Sequence, residues 1–271
     1  MKFNIIISLL ALYILTTSCE KIIDVDLNEA NPAPVFEAYL ENDSTCYVKA
    51  TLTSSYYDNS TSPAITNATM TITDQAGNSE TLTHKGDGIY KGNTLIGTIG
   101  NTYTLDINID GKLYTASSTM PPLTPIDSCS VQDRGNLFGG GGIPGPPRYF
   151  VYVNYTDPGN LTNYYAIQTT YYDSVEVGFR TDYRIADDEL SNGISTRSFT
   201  TFTSFEPGDT LTIELASIDQ ATHLYFKTLE DAIAGAGFAS AAPANPTTNF
   251  SEGALGYFGA WSKDKIEFIV P

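Results

Sequence analysis

Cysteine is scarce: three in 271 residues, at positions 19, 46 and 129. That excludes a disulfide-dense scaffold and a cysteine-based zinc module. Histidine is scarcer still. His84 and His223 share neither a His-x-x-x-His spacing nor a cysteine neighbour, so a zinc centre or a Ser–His triad has no material and both histidines read as structural or surface residues. Positive charge is also thin, with 14 Lys and Arg against 31 Asp and Glu and a formal net charge of −17. Such a surface repels phosphate backbones and anionic headgroups, which argues against nucleic acid as a partner and against a second, peripheral membrane face. No long apolar run occurs beyond the first nineteen residues.

Those nineteen, MKFNIIISLLALYILTTSC, have the build of a secretory signal. Lys2 is a short basic start, Ile5 to Leu15 is apolar except for Ser8, and small residues precede Cys19. The stretch is short for a permanent membrane span. A cysteine at the cleavage point makes it a lipoprotein signal over residues 1–18, although Thr16 stands where a lipobox usually has Leu. Lipidation at Cys19 with palmitate-type chains would contribute ~0.8 kcal/mol per buried methylene, so two or more chains anchor lastingly. The remaining chain would carry a formal charge of −18, since Lys2 is the one charged residue removed.

What is abundant is β-forming. Hydrophobic residues make up 41% and aromatics 12%, enough for a real core, and Thr, Tyr, Val and Ile recur in short alternating runs punctuated by Gly and Pro. Residues 19–33 read as a lipidated tether with an edge strand at Ile23, Val25 and Leu27. From residue 34 to 122, VFEAYLEN, CYVKATLTSSYY, ATMTITD, SETLTHK, GIYKG, TYTLDINID and KLYTASSTM predict an immunoglobulin-like sandwich closed by Pro121-Pro122. Residues 123–271 predict a larger antiparallel β domain. It opens with IDSCSVQ and then breaks into a solvated Gly/Pro loop at Leu137–Pro147. Tyr-rich strands follow, with an Asp157-Pro158-Gly159-Asn160 turn joining the first two as a hairpin. One helix is expected at 219–234, N-capped by Asp219 and with Leu224, Phe226, Leu229 and Ile233 on its apolar face. ALGYFGAW and KIEFIVP are expected to form a terminal hairpin. Overall the reading is all-β, with one packed helix.

Few motifs survive a physical test. Asp106-x-Asn108-x-Asp110-Gly111 matches the first half of a calcium loop, but its twelfth position is Ser117 rather than Glu, and Asp110-Gly111 suits a hairpin turn better. Gly140-x-Gly142-x-x-Gly145 is followed by prolines where a dinucleotide site needs a helix. The acidic stretch Asp187-Asp188-Glu189 and the pair Asp173/Glu176 read as solvated carboxylates, with glycoside hydrolysis or weak calcium binding as lesser alternatives. Asp43-Ser44-Thr45, Asp173-Ser174-Val175 and Asp209-Thr210-Leu211 resemble bacterial O-glycosylation triplets, and a Thr-rich chain produces such triplets by chance equally well. Cys46 and Cys129 could pair, closing a loop that stabilises by roughly 4–5 kcal/mol; two free thiols are the alternative. No residue set is catalytic, none binds a metal and no cofactor is implied. Tyr152, Tyr164, Tyr171 and Tyr172 are the candidate ligand-binding residues, because alternation along strands must leave some rings off the core.

CEKIIDVDL, VFEAYL, the GDGIYKG to TYTLDINIDGKLYTASSTMPP run and NFSEGALGYFGA together resemble domain of unknown function 4249, a family of Bacteroidota outer-membrane lipoproteins. The resemblance spans nearly the whole chain after the signal. It implies lipid anchoring in the outer membrane and, because members are often encoded beside TonB-dependent transporters, a transporter as partner. It supplies no catalytic residues, and neither Cys46 nor Cys129 belongs to its pattern. The expected function is a non-enzymatic accessory or ligand-binding component of such a transport system. The alternatives are an extracellular glycan or peptide hydrolase and a structural or adhesion module of the envelope.

Overall fold

Residues 31–54, 61–133, 147–174, 176–235 and 245–271 are described by a computed structural model. The signal, Cys19, the tether up to residue 30 and nearly all of the Gly/Pro loop with its Gly-x-Gly pattern lie outside them. Pro32–Pro271 form one unit.

Alternation decides the first strands. In β1 (Pro34–Glu41), Phe36, Ala38 and Leu40 are fully buried, while Glu37, Tyr39 and Glu41 point to the opposite face. The same two-residue period builds β2 (Thr45–Leu52), β3 (Thr69–Asp74), β6 (Ile89–Ile96), β7 (Thr102–Ile109) and β8 (Lys112–Thr119). The expected strand SETLTHK is two short strands, β4 (Ser79–Thr81) and β5 (Thr83–Gly86), which belong to different sheets and part at the buried Leu82. Asp110 and Gly111 both have positive φ, 51° and 88°, and close the tight β7–β8 hairpin rather than a calcium loop.

The strands divide among three sheets. β9 (Ile126–Asp133), β10 (Tyr149–Thr156) and β13 (Ser195–Phe199) form a three-stranded sheet in the order β13-β10-β9; β4-β3-β7-β8 form a four-stranded one. Both lie against a single eight-stranded sheet, completed by β11 (Tyr164–Asp173), β12 (Gly178–Asp187), β14 (Thr210–Ile218) and β15 (Leu255–Ile269), in the order β12-β11-β14-β15-β1-β2-β6-β5. The fold is all-β and sandwich-like. One core combines residues 36–120 with Phe250, Ala254, Phe258 and Ala260; the other lies among residues 151–270. The large sheet carries strands of both.

β15 is where the two cores meet. The expected terminal hairpin is one unbroken fifteen-residue strand, parallel to β1 along its first half and antiparallel to β14 along its second. Its polar middle, Ser262 to Lys265, reads like a turn but is held in place: the Ser262 hydroxyl donates to the Pro121 carbonyl at 2.9 Å, Asp264 accepts the Ile126 amide at 2.8 Å, and the Lys263 amide donates to Asn42 at 2.9 Å. Those bonds tie the proline connector beneath the strand. Gly256 has φ +95°, and a Cβ there would stand 2.0 Å from the Phe36 carbonyl oxygen, so the parallel approach of β1 requires glycine.

The expected β10–β11 hairpin does not form either. β10 pairs with β9 and β13, and β11 with β12 and β14. The chain crosses between sheets, so Tyr155 and Tyr165 face each other through the core at 4.9 Å. Buried Asp157 fixes the crossing by accepting the Tyr165 hydroxyl and the Gly193 amide. The acidic stretch is correspondingly not wholly solvated. Asp188 is buried and accepts the Asn163 amide at 2.9 Å.

The helix, α1, runs Gln220–Gly235 and is N-capped by Asp219, whose carboxylate accepts the Thr222 amide at 2.8 Å. Its buried face is Thr222, His223 and Tyr225, whereas Leu224 and Ile233 are exposed. α1 covers only part of the outer face of the large sheet, lying against β15, β11 and β12.

Candidate functional site

The outer face of the eight-stranded sheet is the one not used by either core. Beyond α1 it opens into a cavity of about 750 Å³, within the range of small-molecule sites. Its floor is built from the outward residues of four strands: Glu37, Tyr39 and Glu41 of β1, Ala166 and Gln168 of β11, Glu214 and Ala216 of β14, and Tyr257, Trp261 and Lys263 of β15. The small side chains give the depth. Tyr183 of β12 and Tyr225, Phe226 and Leu229 of α1 make walls.

Aromatic rings line up across the floor. Tyr47 of β2 and Tyr39 are stacked at 5.0 Å, Tyr39 and Trp261 at 5.3 Å, and Trp261 and Tyr257 at 6.3 Å, all within 26° of parallel. Tyr225 and Phe226 close the row against Tyr257 at 4.8 and 5.0 Å. Gly259 makes room for it: a Cβ at that position would stand 2.7 Å from the indole of Trp261, the chain's single tryptophan.

The floor is net acidic, with Glu37, Glu41 and Glu214 against Lys263. The Lys263 ammonium pairs with Glu41 at 2.9 Å and Glu214 at 3.2 Å, with Lys265 reaching Glu214 at 3.8 Å. Burial alone would lower the Lys263 pKa, but the bond to Glu41 and the two carboxylates outweigh it and hold the ammonium above its ordinary range. Burial, with Glu41 beside it, pushes the Tyr39 phenol up to about 12, and burial raises Tyr257 as well.

Hydroxyl pairing separates this face from the cores. Inside the cores, Tyr90, Tyr103, Tyr155, Tyr165 and Tyr171 all hydrogen-bond through their hydroxyls; Tyr114, beneath the Lys112 ammonium, is the exception. At the cavity, the hydroxyls of Tyr39, Tyr183, Tyr225 and Tyr257 have no hydrogen-bond partner among the described residues. The same holds for the Trp261 indole N–H and the Gln168 amide. These atoms face solvent: among the described residues the buried side-chain polar atoms without a partner are the Ser217 and Thr222 hydroxyls.

The four tyrosines singled out from sequence are not brought together. Tyr152 lies on the three-stranded sheet, bonded to Gln132 at 3.2 Å and beneath the Arg197 guanidinium at 3.6 Å. Tyr164 packs under α1 against His223 at 4.7 Å, where burial lowers the imidazole's pKa. Tyr171 is in the second core, bonded to Asp182 and Thr203. Tyr172 is exposed against Phe179 at 5.6 Å. The signal that would have found the cavity is the alternation Glu37-x-Tyr39-x-Glu41 and Tyr257-x-x-x-Trp261-x-Lys263, read for the outward face rather than the inward one.

Cys46 and Cys129 are free thiols in separate sheets, so the disulfide between them is not made. Burial pushes both thiols up, Cys129 to about 11. Asp173 and Glu176 both pair with Arg180, at 3.3 and 3.2 Å. Asp43 turns the chain between β1 and β2, and Asp209 bonds the Glu206 amide before β14. Among the described residues no group of three or more His, Cys, Asp or Glu is placed to hold a metal, and no helix is long and apolar enough to cross a membrane.

No curated protein matches the chain. Among solved structures, a chain described as "Cytokine receptor complex - Crystal form 1A" aligns over 86% of this chain and 95% of its own, at 10% identity and a TM-score of 0.26, which carries no argument. The family described as Domain of unknown function (DUF4249) matches residues 20–267, and the chain belongs to that family.

Proposed function

We propose that the protein is a lipoprotein of the outer membrane, anchored through Cys19, that binds a ligand without transforming it and serves a TonB-dependent transporter. The observation that carries this reading is the cavity on the outer sheet face: preformed, aromatic and lined by polar groups that the protein itself leaves unpaired. Of the four carboxylates that line it, Glu41 and Glu214 are both engaged by Lys263 and Glu37 faces Lys49 at 3.8 Å, which leaves Glu230 of α1. A glycosidase-like pair needs one carboxyl free to donate a proton and the other free to attack or to activate water. Binding is the chemistry this floor suits. The anchor rests on the apolar run ending at Cys19, and the transporter on the family resemblance.

The test is affinity purification of the full, lipidated chain from native outer membranes, with a Cys19→Ser form as control. A TonB-dependent barrel should co-purify with the former at near-stoichiometric yield. Recovery of the chain from the membrane fraction with no barrel would remove the transporter role. Equal membrane retention of the Cys19→Ser form would remove the anchor.

A further inference from the structure

We infer that the cavity on the outer sheet face is a binding site for a neutral oligosaccharide. This rests on the reading of that cavity as a ligand site and names the class of ligand it takes.

The lining discriminates among ligand classes. A hydrocarbon would leave the hydroxyls of Tyr39, Tyr183, Tyr225 and Tyr257, the Trp261 N–H and the Gln168 amide without partners, which is costly once water is displaced. An anion meets Glu37 on the floor, Glu230 of α1 and a chain of net charge −17. A cation must compete with Lys263, which already sits between Glu41 and Glu214. A peptide that adds as a further strand needs a free sheet edge, but β11, β14, β15 and β1 are interior strands with neighbours on both sides. A neutral sugar meets none of these objections. Its hydroxyls both donate and accept, as the phenols do, while its C–H faces pack on aromatic rings. Tyr183 contributes most directly, because it lines the cavity, is 61% exposed and has a hydroxyl without a partner among the described residues.

Trp261 reports on its own site, as the only indole in the chain. The full chain, purified in a detergent without a sugar headgroup, is screened on an array of neutral and acidic glycans. The best neutral hit, tri-lysine and tri-alanine are then titrated against Trp261 emission. A saturable shift is expected with at least one neutral oligosaccharide and none with either peptide. Tyr183→Phe should weaken that binding by about fivefold, the loss of one neutral hydrogen bond, and Tyr183→Ala further, with melting temperature unchanged. No neutral glycan bound, preferential binding of tri-lysine, or full affinity in Tyr183→Ala would each overturn it. Sugar binding without a co-purifying barrel would refute the transporter role and leave the site standing; a barrel without sugar binding would do the reverse.

Discussion

Phe36, Ala38 and Leu40 alternate along β1 with Glu37, Tyr39 and Glu41, and the two sets have opposite fates. The inward set is sealed into a core, touching other apolar side chains. The outward set lines a cavity where aromatic rings stack and polar groups go unpaired. β15 repeats the division, with Phe258 and Ala260 inward and Tyr257, Trp261 and Lys263 outward. One sheet therefore supplies stability from one face and recognition from the other. Apolar burial with mostly paired tyrosine hydroxyls marks the inner face, Tyr114 and Ser217 excepted; apolar surface with solvent-facing hydroxyls that lack a protein partner marks the outer one.

Substitutions should separate the faces, beginning with the inward one. Phe258→Ala removes a fully buried ring from the strand shared by both halves of the sheet and should cost about 3–5 kcal/mol, read as a lower denaturant midpoint. Gly256→Val should come close to it, since the side chain must displace the Phe36 carbonyl. On the outer face, Lys263→Met leaves Glu41 and Glu214 partly buried and facing each other. It should cost about 2 kcal/mol, less than a fully buried pair because solvent still reaches these groups. The double variant Glu41→Gln with Glu214→Gln in that background should restore part of the loss.

Alkaline pH gives a smaller, signed effect. Tyr39 has its folded pKa raised from 10.0 to about 12, and Lys263 is also raised. A folded pKa above the unfolded one means that the contribution is complete below the unfolded pKa and is lost as pH rises through the folded one. Stability should thus be flat through neutral pH with respect to these groups and fall between about pH 10 and 12, followed by phenolate absorbance; Tyr39→Phe should make that fall shallower. Smallest of all, thiol labelling of the native protein should modify Cys129 slowly and leave Cys46 intact, because Cys46 is 1% exposed.

The strands were largely legible because half-buried strands alternate, and β1, β7 and β8 each put every second residue inside. Pairing across distance was not. The Asp157–Asn160 turn sits between two Tyr-rich strands and suggests a hairpin, yet buried Asp157 and Asn163 steer the chain into the opposite sheet. Ser262 to Lys265 resembles a turn because its partners, Pro121, Ile126, Asn42, Glu41 and Glu214, are remote in sequence. The site was hidden for the same reason. Tyr39 and Trp261 adjoin only because β1 and β15 pair in parallel, a contact no local pattern encodes. Tyr171 and Tyr183 are alike in sequence, each an aromatic in a strand. Register alone places one in a core and the other over the cavity.

That pair allows the most direct test of the division between the faces. Tyr171→Phe and Tyr183→Phe remove one hydroxyl each, and both variants are measured for melting temperature and for glycan affinity through Trp261. Tyr171→Phe should lower stability by about 1–3 kcal/mol, since Asp182 and Thr203 lose a buried partner, with affinity unchanged. Tyr183→Phe should weaken affinity and leave the melting temperature alone. A Tyr183→Phe variant that melts early while binding as tightly as the unaltered protein would contradict the account.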